Sequence, residues 1–127
     1  MPTKATIVTT TVWAGNNLIC LARILGDTGE YLLTTDLSSV TWQVLDLDNS
    51  KAVVGSGTFS PGSVVYNTLQ TDNIWTKDET GYNFKATVPG ANFPLAERRY
   101  RVVFSFVTVS WGTFKQPFEA FTGDPTG

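Results

Sequence analysis

The chain has 127 residues, of which 42% are hydrophobic and 16% are charged, and its formal net charge is −2. These values indicate one compact globular domain instead of a disordered segment, and they exclude a strongly basic protein drawn to nucleic acid by its overall field. No apolar run is long enough to span a bilayer, and the N-terminal residues lack the apolar block and cleavage site of a signal peptide. We therefore expect neither nucleic acid nor a membrane among its partners.

Short apolar or alternating segments separated by turn signals predict seven to nine β-strands. In chain order, the predicted strands cover residues 5–13, 18–24, 30–34, 40–45, 51–58, 63–67, 81–88, 99–109 and 114–121. Only residues 68–77 have helical character, which predicts at most one short helical turn. Because Pro117 cannot donate to a ladder, we expect the last strand at a sheet edge or at a bulge. The pattern predicts an all-β, antiparallel sandwich over residues 1–122, followed by a loose tail over 123–127.

The alternation within each predicted strand separates an inward face from an outward face. On the strand over 81–88, Asn83, Lys85 and Thr87 are expected to face solvent. The expected core consists of Leu18, Cys20, Ala22, Val40, Trp42, Val44, Tyr82, Phe84, Val102, Phe104 and Phe106.

A tyrosine near the start of a strand needs a partner for its hydroxyl if it is buried. Asp78, Tyr82 and Phe84 have the spacing of the immunoglobulin pattern Asp-x-Ala-x-Tyr-x-Cys, so the chain resembles an immunoglobulin-like domain. This resemblance implies that Tyr82 closes a corner by bonding to upstream backbone. It also implies that Cys20 and Trp42 occupy the cysteine and tryptophan positions of the second and third strands, with Phe84 replacing the second cysteine. No disulfide can form, because Cys20 is the only cysteine.

A narrower resemblance covers roughly residues 17–121. The run VVYNTLQTDNIWTKDETGYNFKATVPGANFP, then RRYRVVFSF and a final WGTF hairpin, is similar to small β-sandwich modules of tailed-phage and prophage structural proteins. A Gly-Asp-x-Gly turn before a Ser-Val-Thr-Trp-x-Val strand is similar to amino-terminal modules of phage baseplate and fibre proteins. The resemblance implies a head decoration, neck or tail module that forms a homo-oligomer, binds other virion proteins and assembles in the host cytoplasm. A bacterial cell-surface location is the alternative.

Several side chains outside the expected core are candidates for an interface. Apolar residues on the outward side of the long strand and near the last hairpin predict a contiguous apolar patch, which more often marks a partner surface than a solvated face. A neighbouring basic cluster is either solvated or paired with an acidic subunit. These candidates are Trp111, Val103, Val107, Val109, Phe121, Arg98, Arg99 and Arg101.

Other functional classes have weaker support. Without histidine the usual general base is missing, and no pair of carboxylates stands out, so we expect no enzyme and no cofactor. Asp46, Asp48 and Asn49 are oxygen ligands, but they lack the order of a calcium loop and fit a hairpin turn better. The alternative to a virion protein is a carbohydrate-binding or cell-surface adhesion module that uses Trp13 or Trp111 as a stacking platform.

Overall fold

The structure is a computed structural model, and it describes residues 8–26, 29–71, 79, 81–95, 97–110 and 112–123. Within these ranges the chain forms eight strands: β1 (Val8–Trp13), β2 (Leu18–Ala22), β3 (Leu37–Asp46), β4 (Ala52–Phe59), β5 (Val65–Gln70), β6 (Tyr82–Val88), β7 (Arg99–Thr108) and β8 (Thr113–Gly123). One α-helical turn, α1 (Pro61–Val64), precedes β5, and two 3-10 turns cover Thr34–Asp36 and Gly90–Asn92.

The strands form two sheets. The five-stranded sheet has the order β1-β8-β7-β3-β4, and the three-stranded sheet has the order β2-β6-β5. The second, fifth and sixth strands thus face the third, seventh and eighth, which is the partition of an immunoglobulin sandwich. The predicted all-β sandwich is confirmed, with one departure from a purely antiparallel arrangement. The edge strand β1 runs in the same direction as its neighbour β8, so this pair is parallel.

Aromatic side chains join the two sheets. Phe84 on β6 lies with its ring centroid 4.9 Å from that of Phe104 and 5.2 Å from that of Phe106, both on β7. It also stacks on Phe118 of β8 at 6.3 Å. All eleven residues of the expected core are buried, so the inward faces were predicted correctly. The reason is that each of these strands has one face against the opposite sheet, so every second side chain along the strand points into the core.

The helical turn predicted over 68–77 is corrected for residues 68–70, which belong to β5. Residues 72–77 lie outside the described part of the chain, so for them the turn stays a prediction. An α-helical turn that was not predicted covers Pro61–Val64, where Pro61 occupies the first helical turn and loses no intrahelical hydrogen bond. Among the residues that the structure describes, no helix has the length and apolar character needed to cross a membrane.

Two other predictions about strands also need correction. Residues 30–34 do not form a strand, because only an isolated bridge between Leu25 and Tyr31 is present there. β8 is not an edge strand, since it lies between β1 and β7. In the register of β7 with β8, Pro117 lies opposite Val103.

Asn83 is buried, contrary to the expected solvent-facing position. Its Oδ1 atom accepts a hydrogen bond from the Ile24 backbone N–H at 2.7 Å. Its Nδ2 atom donates to the carbonyl oxygens of Ile24 at 2.9 Å and Leu32 at 3.3 Å. The connection between β2 and β3 therefore covers this end of β6, and the amide satisfies backbone groups that would otherwise be buried without partners.

Candidate functional site

The face of the five-stranded sheet that points away from the three-stranded sheet is called the outer face here. On β7, the outer face carries every second residue, in alternation with the buried residues of the same strand. Each of these outward residues lies opposite an outward residue of β8. The pairs in register are Arg99 with Phe121, Arg101 with Glu119, Val103 with Pro117, Ser105 with Lys115, and Val107 with Thr113. The structure thus brings most of the interface candidates onto one face.

The expected apolar patch is not contiguous. Val103 and Val107 are both half-buried, and Ser105 lies between them on β7. Ser105 is opposite Lys115, and both line a shallow polar depression together with Thr41. The prediction that these valines form one patch was wrong because Ser105 of β7 itself and Lys115 of β8 interrupt it. The sequence contains Ser105, but it does not show that a lysine lies opposite.

Val109 and Trp111 belong to the same candidate set. Val109 is 64% exposed and follows the end of β7, where its backbone N–H donates to the Asp36 carbonyl oxygen. Trp111 lies outside the described residues, so its expected role stays a prediction.

The three arginines of the basic cluster have acidic partners within the chain. Arg101 pairs with Glu119 at 2.8 Å. Arg98 lies 3.7 Å from the buried carboxylate of Asp46, and Arg99 lies 3.4 Å from Asp48. The cluster was expected to be solvated or to pair with an acidic neighbour subunit, and neither interpretation anticipated these partners within the chain.

The turn between β3 and β4 uses its carboxylates for structure. Asp46 Oδ1 accepts a hydrogen bond from the Asp48 backbone N–H at 3.0 Å, and Asp48 Oδ2 accepts one from the Arg99 backbone N–H at 2.8 Å. The latter bond is the main reason that the pKa of Asp48 is lowered. Among the described residues, no three histidine, cysteine or acidic side chains are grouped to hold a metal ion.

The immunoglobulin corner does not have the assigned geometry. Ala22 of β2 is the register partner of Phe84, and Cys20 is the partner of Ala86, so Cys20 and Phe84 lie on neighbouring strands of one sheet. In immunoglobulin domains the two cysteine positions lie in opposite sheets. Identifying Phe84 with the second cysteine was therefore wrong, because local spacing does not show which sheet a strand joins.

The Tyr82 ring lies 6.0 Å from that of Tyr66, in an edge-to-face arrangement. The hydrogen bond expected of the Tyr82 hydroxyl stays a prediction, and Asp78 lies outside the described residues.

In an immunoglobulin sandwich, the corner tyrosine lies near the start of the strand that carries the second cysteine position. By strand order that strand is β7, and its tyrosine is Tyr100. It lies near the start of β7, two residues before Val102, and its buried ring contacts Phe93 at 5.4 Å. Its hydroxyl has no hydrogen-bond partner of normal geometry among the described residues. Burial raises the pKa of Tyr100, and the Leu95 backbone opposes that rise. The Tyr-x-Val spacing in RYRVVF was the available signal, but DETGYNF matched the pattern over more positions.

Cys20 lies in the core and is 1% exposed. Burial raises the pKa of its thiol from the ordinary 9.0 to about 12, so the thiol is protonated near neutral pH. We expect the folded protein at pH 8 to react negligibly with a water-soluble disulfide reagent, because the thiolate is the nucleophile. The rate of colour release measures this, and a variant with Thr113→Cys adds an exposed thiol as the control. Reaction of wild type as fast as that control would contradict the buried position.

Trp13 and Phe121 are two exposed aromatic side chains at one end of the outer face. Trp13 is 53% exposed and Phe121 is 44% exposed. Trp13 is opposite Gly123 in register, and its ring atoms Cζ3 and Cε3 lie 2.8 and 2.9 Å from where a Cβ of Gly123 would be. Only glycine leaves room for the indole to lie against the β8 backbone here. The sequence identified both aromatics separately, but their proximity depends on the pairing of β1 with β8.

The edge of the five-stranded sheet formed by β4 was not anticipated from the sequence. β4 is the last strand in the order and pairs with β3. Among the described residues, the only strand that shares a ladder with β4 is β3. An extra residue, Val54, lies between Val53 and Gly55 in the pairing with β3, and Val53 and Val54 are 56% and 42% exposed. The sequence signal was the absence of charge and proline over residues 52–59.

Comparison of the chain with protein-family models finds no match, and neither does comparison with curated proteins. The resemblance to phage modules therefore depends on the sequence patterns described above.

Proposed function

We propose that the chain is a non-enzymatic structural module of a tailed-phage or prophage virion, assembled in the host cytoplasm, which works by pairing with copies of itself and with other virion proteins. The observation that carries self-pairing is that β4, within the part of the chain that the structure describes, is paired on one side only. The virion context is supported by the sequence resemblance over residues 17–121.

An unpaired strand edge offers a row of backbone N–H and C=O groups to another chain. Proteins that avoid such pairing place lysine, other charges or proline on edge strands. β4 has none of these between Ala52 and Phe59, and its bulge affects only the part around Val54. From Gly55 to Phe59 the pairing with β3 is uninterrupted, which leaves a regular segment available for a further strand.

The partner that fits this edge is a second copy of the chain. Two β4 strands related by a two-fold axis would pair antiparallel and join two five-stranded sheets into one continuous sheet. Like charges directly opposite each other oppose strand pairing, and β4 brings none. The side chains of Gly55, Ser56, Gly57 and Thr58 are short, so two copies can approach without steric conflict.

We expect wild type to self-associate and the Ser56→Lys variant to be monomeric, because two-fold pairing would bring the new charges of both copies together. Ser56 is exposed, so the substitution should leave the melting temperature nearly unchanged. Sedimentation velocity over a range of concentrations measures the association.

Thr113→Lys is the matched control, since it places the same charge at an exposed position of β8, which β7 and β3 separate from β4. Association that persists in Ser56→Lys, or a wild type that stays monomeric throughout, would overturn the proposal. Equal loss of association in Thr113→Lys would show that an added charge prevents association wherever it is placed on the sheet. That result would also overturn the proposal.

A further inference from the structure

The exposed aromatics at the end of the outer face have polar neighbours on the next strand. Phe121 is the register partner of Arg99, and Arg99 contacts Asp48 in the β3–β4 turn. Trp13, Phe121, Arg99 and Asp48 therefore follow one another across β1, β8, β7 and the turn, and this set is called the aromatic row. With neighbouring strands about 5 Å apart, the row extends over roughly 10–15 Å, which suits a short oligosaccharide.

The indole of Trp13 forms a flat surface and not a pocket. One side of the ring lies against the β8 backbone at Gly123, and the side chain as a whole remains 53% exposed. A protein partner typically gains most of its affinity by filling well-packed pockets. A pyranose ring instead has an apolar C–H face that stacks on a flat aromatic ring, and its hydroxyls lie around the rim.

The polar end of the row has unused hydrogen-bonding capacity. The side chains of Arg99 and Asp48 are 62% and 34% exposed, and their contact is long at 3.4 Å. A guanidinium has five N–H donors. From the described residues, Asp48 Oδ1 accepts this long bond and Oδ2 accepts the Arg99 backbone N–H. Both groups can therefore bond to sugar hydroxyls while they keep the turn in place.

We infer that the aromatic row binds a neutral pyranose glycan, with the sugar rings stacked on Trp13 and Phe121 and the hydroxyls bonded to Arg99 and Asp48. The row ends at Asp48 in the β3–β4 turn and contains no residue of β4 itself, so the inference does not rest on the proposed self-pairing. A Ser56→Lys protein should bind the glycan as wild type does.

Native electrophoresis in gels that contain β-glucan, galactomannan, xylan, dextran or glycol chitin tests the inference. We expect at least one of these polysaccharides to retard the wild type, and Trp13→Ala to weaken this retardation by about tenfold or more in apparent affinity. Trp13→Ala leaves the net charge unchanged, so its mobility in the polysaccharide-free gel serves as the reference. Arg99→Gln, corrected for its own mobility, should weaken retardation as well.

Tyr31→Ala is the matched control, because Tyr31 is an exposed aromatic of 43% exposure outside the row. It should be retarded as strongly as wild type. The inference is overturned if none of the five polysaccharides retards the wild type, if Trp13→Ala is retarded equally, or if Tyr31→Ala loses as much. Circular dichroism of each variant checks that the fold is retained, and if Trp13→Ala fails this check, Arg99→Gln alone decides.

Discussion

Phe84→Ala is expected to lower the free energy of unfolding by about 3–5 kcal/mol, which is a large part of the stability of an ordinary domain. The Phe84 ring is fully buried and contacts the rings of Phe104, Phe106 and Phe118 from the other sheet. Its removal leaves a cavity between the sheets that the rigid strands cannot close. Urea unfolding followed by circular dichroism measures the change, with a thermal melt as a second readout.

Phe121→Ala is the control for that experiment, because it removes the same ring from an exposed position. Its effect on stability should be within about 0.5 kcal/mol. If Phe84→Ala unfolds at the same urea concentration as Phe121→Ala, the two sheets do not pack through Phe84 as described.

Asn83→Ala is expected to destabilise the protein by about 3 kcal/mol, although the side chain it removes is polar. The substitution leaves the Ile24 N–H and the Ile24 and Leu32 carbonyl oxygens without the amide that now bonds to them. Each buried backbone group without a partner costs about 1–3 kcal/mol, and partial entry of water offsets some of that sum. Chemical unfolding gives the magnitude, and hydrogen exchange at Ile24 and Leu32 shows whether the β2–β3 connection loosens first.

Two further variants test whether the loss of stability comes from the hydrogen bonds of the Asn83 amide or from the removal of any asparagine side chain. Asn83→Asp keeps the size and one acceptor but turns a second oxygen toward the two carbonyls, so it should also destabilise the protein at neutral pH. Asn67 donates no such buried support, since its Oδ1 atom accepts one exposed bond from the Thr34 N–H, and Asn67→Ala should cost less than about 1 kcal/mol. Equal stability of Asn83→Ala and Asn67→Ala would contradict the described role of the amide.

The alternation of apolar residues was sufficient to predict the eleven expected core residues, because the inward face of a strand depends on the period of that strand alone. The assignment of strands to sheets was not predictable in this way. Tyr82 is the first residue of β6 and Tyr100 the second residue of β7, and each lies two residues before an apolar side chain. Only the pairing of β6 with β2 distinguishes the two positions. Asn83 was misjudged for the same reason, since the segment that covers it comes from a distant part of the sequence.

The surfaces proposed for function also depend on long-range pairing. Trp13 and Phe121 are far apart in the sequence and come together only because β1 lies beside β8. The exposure of β4 follows from the strand order, whereas its lack of charge could be noticed in the sequence. Composition and local pattern thus indicate whether a strand is suited to an exposed edge or face. Its neighbouring strands determine whether it lies there.

The parallel pairing of β1 with β8 has a mechanical consequence. A pulling force applied before Val8 and after Gly123 would draw the two strands past each other along their length, because they run in the same direction and the force acts at opposite ends. The six register pairs from Val8–Phe118 to Trp13–Gly123 would then bear the load together and not one after another. Such shear loading resists extension better than the unzipping of a hairpin, so a module attached through both ends would transmit tension while its sandwich stays folded.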